Sequence, residues 1–572
     1  MNQSMTEASF VDRARALAAD QWPAISALAD ELAQREIDDA DALKTWLLDR
    51  SEFDAACAEG RATLYIEMTR HTDDASAASA WTRYLEDVQP NLQRASFELD
   101  QRQHALAKSF PLDSDRYGVL NRDTAVDVEL FKEENVPLET ELGKLDQRYE
   151  AIMGAMTVEF DGEERTIPEM ATYLERPDRE LRERAWKATA DRRLKDRDAI
   201  NSIFDEMIQL RSSVATNAGF ANFRDYMFRR RRRFDYSPAD CEAYHNACRE
   251  EVVPLLRSLD DDRAGEIGVS PLRPWDLAVD VKGRAPLKPF ENAADLVSKT
   301  ERIFERMGNG LGEMFASLKT DDALDLESRK GKAPGGYQYM RDLSRKPFIF
   351  MNAAGLHGDV RTLIHEAGHA FHSMLCVDEP LVHYRHSPIE FAEVASMSME
   401  LLTMDYWDEF YSNEDDLRRA KREQFEGIVT ILPWVATIDA FQHWIYLNPD
   451  HTQSDRTQAW LRISGDFGHD VNWQGLEPTR ESMWQRQGHL FGVPFYYIEY
   501  GIAQLGALQL WLIAREQGLD RAIEAYRTAL ALGGAKPLPA LFEAAGLTFD
   551  FGPATIRRLM GAVRDELKAL PL

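Results

Sequence analysis

A mainly α protein with one small β-sheet is what this sequence predicts, and three observations lead there. Apolar residues recur at three- and four-residue spacing through most of the chain, as in Ala14-Leu17-Ala18-Trp22 and Ile203-Met207-Leu210-Val214, the pattern of amphipathic helices. Helix-breaking prolines and strand-like runs gather in one stretch, between residues 260 and 355. The chain has 572 residues, beyond the size at which a single hydrophobic core stops growing, so two or three lobes are expected.

Taken in order, residues 1–195 read as an N-terminal helical lobe of long, charged helices, interrupted near Pro111 and Pro137. The alternation in Met156-Thr157-Val158-Glu159-Phe160, followed by Asp161-Gly162, predicts a short hairpin. Residues 196–572 form a second domain that holds most of the chemical vocabulary. Within it Pro271, Pro274, Pro286 and Pro289 break helices, while Gly335–Met340 and Lys346–Met351 predict the strands of the small sheet. Gly308-Asn309-Gly310-Leu311-Gly312 follows a helical run, which argues against a phosphate loop. Helices resume at Asp359, and ten of the 13 histidines fall between His357 and His489, which says where to look for chemistry.

Charge narrows the function classes. With 68 Lys and Arg against 97 Asp and Glu, the net charge of −29 repels phosphate backbones and anionic lipid, so nucleic acid and membrane surfaces are not expected partners. The basic run Arg229–Arg233 reads as a solvated or ion-paired face in this acidic background. Four cysteines make no disulfide framework, and Cys241 and Cys248, about 10 Å apart along a helix, are too distant to bridge. The first thirty residues lack the apolar core of a signal peptide. The apolar-leaning stretch Tyr500–Ala514 falls short of the roughly 20 residues that span a bilayer. A cytoplasmic protein without a membrane anchor is the expectation.

The segment Thr362–Phe371 contains His-Glu-x-x-His in a helical pattern without proline. Residues four apart share a helix face about 6 Å apart, so His365 and His369 can reach one metal ion. Glu366 lies about 100° round the helix, which sets its carboxylate beside the metal and suits it to take a proton from water. The motif arises by chance in roughly a few per cent of chains this long, so its surroundings have to be weighed. A catalytic zinc ion takes three protein ligands and keeps one position open. His372 continues the same helix about 10 Å beyond His365 and reads as core or as a residue packed behind the ligands. The run Ser387–Glu400 carries Glu390, Glu393 and Glu400 on one stripe, with Pro388 as a helix start. Glu393 has the small neighbours Ala392, Ala395 and Ser396, which permit close helix approach, and is the best third ligand. Glu400 is placed to orient a ligand histidine, and Glu390 reads as an exposed acidic face.

Several stretches together resemble the thimet-oligopeptidase-like metallopeptidases, in their oligoendopeptidase F and Pz-peptidase branch. They are Lys332–Tyr337, Asp359–Leu363 leading into His-Glu-Ala-Gly-His, Phe391–Ser396, the aromatic run from His489, and Pro537–Phe542. The resemblance is good over roughly residues 200 to 570 and loose over the N-terminal third, and it marks 196–572 as the catalytic domain. It implies a zinc endopeptidase acting on oligopeptides, with two helical lobes flanking a deep substrate channel and the sheet beside the zinc helix. It also implies one Zn2+ per chain on His365, His369 and Glu393, in agreement with the packing argument.

In His489–Tyr500 the same resemblance makes His489, Tyr497 and Tyr500 candidates to steady the oxyanion of peptide hydrolysis. On helical spacing Tyr497 and Tyr500 share a face and Tyr496 points elsewhere. The spacing from His489 varies within the family, so the choice among the three tyrosines stays open, with Tyr500 first. Strand-like Phe348–Asn352 is a candidate to pair with an extended peptide. Two alternatives stand beside this reading. One is a metallocarboxypeptidase of related helical fold, for which no basic clamp for a terminal carboxylate is evident in the sequence. The other is a non-enzymatic peptide-binding helical protein, which would have no reason to retain Glu366 between two metal-ready histidines.

Overall fold

The structure is a computed structural model that describes residues 8–320, 322–329, 331–333 and 335–572. The first seven residues of the stretch read for a signal peptide, and Pro334 in the stretch Lys332–Tyr337, lie outside the described residues. The protein is mainly α, with a hairpin and one three-stranded sheet.

Helices begin where side chains can satisfy the first free backbone donors. The 31-residue helix Ala40–Arg70 starts this way, with the Asp39 carboxylate accepting from the Ala42 N–H at 2.8 Å. The hairpin pairs β1 (Thr157–Phe160) with β2 (Glu163–Thr166), and its two turn residues, Asp161 and Gly162, have φ of 52° and 83°. That is the twist a two-residue hairpin requires, and Asp-Gly supplies it. In the sheet, β3 (Leu324–Glu327) runs parallel to β5 (Lys346–Ala353), and β4 (Tyr337–Arg341) runs antiparallel to β5 on its other side. The order is β3-β5-β4. Phe348 to Met351 of β5 are buried, consistent with a strand covered on both faces.

This order corrects one expectation. The stretch Phe348–Asn352 lies in the central strand, whose two edges are already paired, so it has no edge to offer a peptide. The edges belong to β3 and β4. The reading failed because it did not count the four-residue strand β3, which pairs with β5 on the side away from β4.

The chain forms two compact units, each from three segments. One comprises Met1–Val136, Glu291–Tyr406 and Leu510–Phe549, and the other Pro137–Phe290, Trp407–Gln509 and Asp550–Leu572. A sequence boundary at 195/196 follows a change in local texture, whereas these units follow tertiary packing, which gathers distant segments. The first unit holds a core around Ile25, Leu28, Trp46 and Phe53, together with the three-stranded sheet. The second holds the hairpin and the long helix Glu414–Leu447. That long helix is the one helix among the described residues long and apolar enough to cross a membrane, but 72% of its apolar window is buried inside the protein, as in a core helix.

Candidate metal centre

The centre is built in the first unit from two helices. The motif helix, His357–Leu375, follows directly from β5. The Asp359 carboxylate accepts from the backbone N–H groups of Ala354, Gly355 and Leu356 at 2.8 to 2.9 Å and so closes the strand-to-helix turn. The glutamate helix, Ile389–Leu402, packs across it. Gly368 sets the separation: a Cβ there would lie 2.6 Å from the Ser396 Cα and 2.7 Å from the Ala395 carbonyl oxygen. The Tyr526 hydroxyl, contacting the Gly368 carbonyl at 3.3 Å and the Ala395 carbonyl at 3.2 Å, fastens the two helices at the crossing.

The crossing brings three donors together. Glu393 Oε2 lies 3.3 Å from His365 Nε2 and 3.5 Å from His369 Nε2, and all three ligand atoms fall within 4.8 Å of one another. The Ser396 hydroxyl donates to the same Glu393 oxygen at 2.9 Å. On the far side of the ring, His365 Nδ1 donates to Glu400 Oε1 at 2.8 Å, which directs Nε2 toward the other two donors. Arg361 in turn holds Glu400, Nη2 to Oε2 at 3.3 Å. Burial opposes ionisation of Glu393, yet the charges and hydrogen bonds of His369 and His365 hold its carboxyl well below the usual range. Burial likewise opposes a charge on His365, and Glu393 and Glu400 overcome it and push its pKa well up. Two imidazoles and one carboxylate converging in this way match the donor chemistry of an open zinc site.

Glu366 is 7% exposed and takes no part in the ligand cluster. Its Oε2 is buried without a hydrogen-bond partner, and burial raises its pKa against the pull of His365 and His369. His372 is buried, edge-on to the Phe391 ring at 6.4 Å, and burial pushes its pKa down to about 3. Glu390 is a correction: it is 5% exposed instead of lying on an acidic surface. The glutamate helix is buried nearly all round, so a face inferred from charge does not exist there.

His489, Tyr497 and Tyr500 come together in the second unit. His489 Nε2 is 3.4 Å from the Tyr500 hydroxyl, and Gln487 holds the other ring nitrogen at 2.7 Å. The helix of Tyr500 begins only at Ile498, so Tyr496 and Tyr497 precede it and helical spacing does not govern them. Tyr496 therefore does not point away, as spacing predicted. Its ring lies 5.2 Å from that of Tyr500 and 5.6 Å from that of His489. Tyr497 is 8% exposed and burial pushes its pKa up to about 12, whereas Tyr500 is only partly buried.

The sequence reading did not find what holds this segment. Arg211 donates to the Leu490 and Phe491 carbonyls and to the Tyr446 hydroxyl. Arg231 donates to the Pro494 carbonyl at 3.0 Å and lies over the Tyr496 ring, while Arg233 bonds the Phe495 carbonyl and pairs with Glu499 at 3.0 Å. The basic run is thus an ion-paired scaffold, half of the expectation for it, with Arg233 buried instead of solvated.

The model of "Peptidase family M3" matches residues 172–560, more than half of the chain. The chain belongs to peptidase family M3. An oligoendopeptidase F homolog of Borreliella burgdorferi is 26% identical over 304 residues, 51% of this chain and 49% of the relative. Oligopeptidase PepF of Bacillus subtilis is 22% identical over 364 residues, 60% of this chain and 50% of the relative. The chain spans about half the length of these curated relatives. Among solved structures, a Pz peptidase A with an inhibitor has a TM-score of 0.89 at 25% identity, covering 96% of this chain and 97% of that one. The oligoendopeptidase F of Enterococcus faecium shares the fold, with a TM-score of 0.64 at 15% identity over 96% and 97% of the two chains. Membership of an M3 family of metallopeptidases implies a catalytic metal, and the His365, His369 and Glu393 cluster fits one.

Proposed function

We propose that the protein is a zinc metalloendopeptidase that hydrolyses internal bonds of short oligopeptides, with His365, His369 and Glu393 holding one Zn2+ per chain. The observation that carries this reading is the convergence of two imidazole Nε2 atoms on one carboxylate, with the buried Glu366 carboxylate, its Oε2 without a hydrogen-bond partner, one residue away in a chain of family M3. Bound zinc supplies Lewis acidity toward a carbonyl and toward water. Glu366 then accepts the proton of the attacking water and passes it to the leaving amine, a transfer for which its raised pKa suits it. Glu400 and Arg361 keep the His365 ring oriented. The edge of β4 offers backbone groups to an extended peptide, and the motif helix lies close behind it, since a Cβ on Gly336 would be 3.2 Å from Thr362 Cγ2.

His489 and Tyr500, hydrogen bonded to each other, are the candidate donors to the oxyanion on the strength of the family resemblance, and Tyr497 is the weaker candidate because its ring is buried. A cytoplasmic location accords with four cysteines that are all buried and free.

The test is a quenched fluorescent peptide of about ten residues, blocked at both ends, incubated before and after chelation and again after zinc is restored. Internal cleavage that stops and returns supports the reading. Activity that requires a free C-terminus would instead make the protein a carboxypeptidase, and a zinc-loaded folded protein that cuts neither class would remove the enzymatic reading.

A further inference from the structure

A second group of metal-type donors lies buried in the second unit, apart from the motif helix. Helix Pro238–Ala247 carries Cys241 and His245 four residues apart, and the long helix carries Asp439 and His443 at the same spacing, so each pair occupies one helix face. The two helices pack together. The donor atoms of Cys241, Asp439 and His443 lie within 4.8 Å of one another. Side-chain closure to roughly 3.4 Å would give tetrahedral coordination at ordinary zinc bond lengths.

Hydrogen bonding within the group is incomplete. His245 Nε2 donates to Asp439 Oδ2 at 2.8 Å. His443, 5% exposed, has no hydrogen-bond partner at either ring nitrogen, although Nε2 lies 3.4 Å from Asp439 Oδ2, and Asp439 Oδ1 is also without one. A buried polar atom left so is costly, and a ring nitrogen of His443 together with Asp439 Oδ1, beside the Cys241 thiol, calls for a ligand they share. Aromatic rings close the surroundings, with Phe228 and Phe495 at 6.0 and 5.7 Å from the His443 ring.

We propose that Cys241, Asp439 and His443 form a second, structural zinc site. Sulfur, carboxylate and imidazole are zinc donors, and one thiolate with one carboxylate neutralises a divalent ion in a site that admits no counter-charge from solvent. His245, through its hydrogen bond, holds Asp439 in place. Burial keeps the free Cys241 thiol protonated, so binding forms the zinc–sulfur bond as the thiol proton leaves to solvent. The ion would tie the two helices beneath the segment carrying Tyr497 and Tyr500, because Gln442, next to His443, accepts from the Phe495 N–H at 2.6 Å.

Cobalt distinguishes this site from the His365 centre, since only a thiolate ligand gives an intense near-ultraviolet charge-transfer band. The full chain is produced in cobalt-supplemented medium, and its metal content and absorption are measured. The expected result is a second metal equivalent beyond that at His365, with the thiolate band. The band should persist in the His365→Ala/His369→Ala variant and vanish in Cys241→Ser and in His443→Gln, with metal content halved. A folded wild-type chain with a single equivalent and no thiolate band would overturn the site, as would a band that survives Cys241→Ser. Failure of the peptidase reading would show only in cleavage and leave the band unchanged.

Discussion

Glu366 sits one residue from His365 on the same helix, but its surroundings give it a different task. A carboxylate that is buried, with one oxygen lacking a hydrogen-bond partner, and raised in pKa binds a proton more readily than a surface glutamate does. Glu366→Gln keeps size and packing and removes the proton acceptor, so kcat/KM should fall about 10²- to 10⁴-fold while metal content stays at the wild-type level. A variant with full activity would remove Glu366 from the mechanism. Glu400 acts one step further out, through the His365 ring. Glu400→Ala should weaken metal affinity about 10- to 100-fold, measured by competition with a chromogenic chelator, because the ring loses the acceptor that fixes its tautomer.

At the scale of elements, the helix crossing at Gly368 is the feature on which the centre depends. Glu393 reaches the two histidines only because the glutamate helix touches the motif helix backbone to backbone. Gly368→Ala puts a methyl group where backbone already stands and should cost about 1–3 kcal/mol of stability, with metal retention falling alongside it. Thermal unfolding and metal content, measured together, check this, and an alanine variant unchanged in both would contradict the close approach. The Tyr526 hydroxyl serves the same crossing from outside, and its partners are carbonyls of both helices. Tyr526→Phe should therefore destabilise by about 1 kcal/mol, read from the denaturation midpoint.

At the scale of the whole molecule, buried ion pairs join segments distant in sequence within a unit. Asp276 is fully buried between Arg179, which grips both its oxygens at 2.9 and 2.8 Å, and Arg182 at 3.1 Å. Burial alone would raise its pKa, but the hydrogen bonds from Arg179, the Arg273 backbone and Arg182 hold it below the usual value. The folded-state pKa is thus lower than the unfolded value of about 3.9. Its contribution to stability is complete above that pH and is lost as pH falls through the folded-state pKa. Asp276→Asn should cost on the order of 3 kcal/mol at neutral pH, since Arg182 is left buried without its counter-charge. The gap from wild type should narrow below about pH 4, as denaturant titrations at both pH values would register. A gap independent of pH would sink the assignment.

The sequence by itself determined the arrangements whose geometry is local. His365, His369 and Glu366 follow from helical spacing, because residues within one helix keep fixed relations whatever the rest of the chain does. The hairpin at Asp161-Gly162 and the two longer strands follow for the same reason. Glu393 was legible because its small neighbours signal close packing, a tertiary fact with a local signature. Tertiary structure alone decided the rest. Whether Glu390 is buried depends on what covers its helix, whether β5 is central or an edge depends on β3 pairing with it, and where Tyr496 points depends on where the helix begins. Cys241 and His443 are 202 residues apart (443 − 241), and only packing of their helices brings their donors together. Spacing along a chain fixes direction within an element, whereas proximity between elements is set by burial and packing over the whole fold.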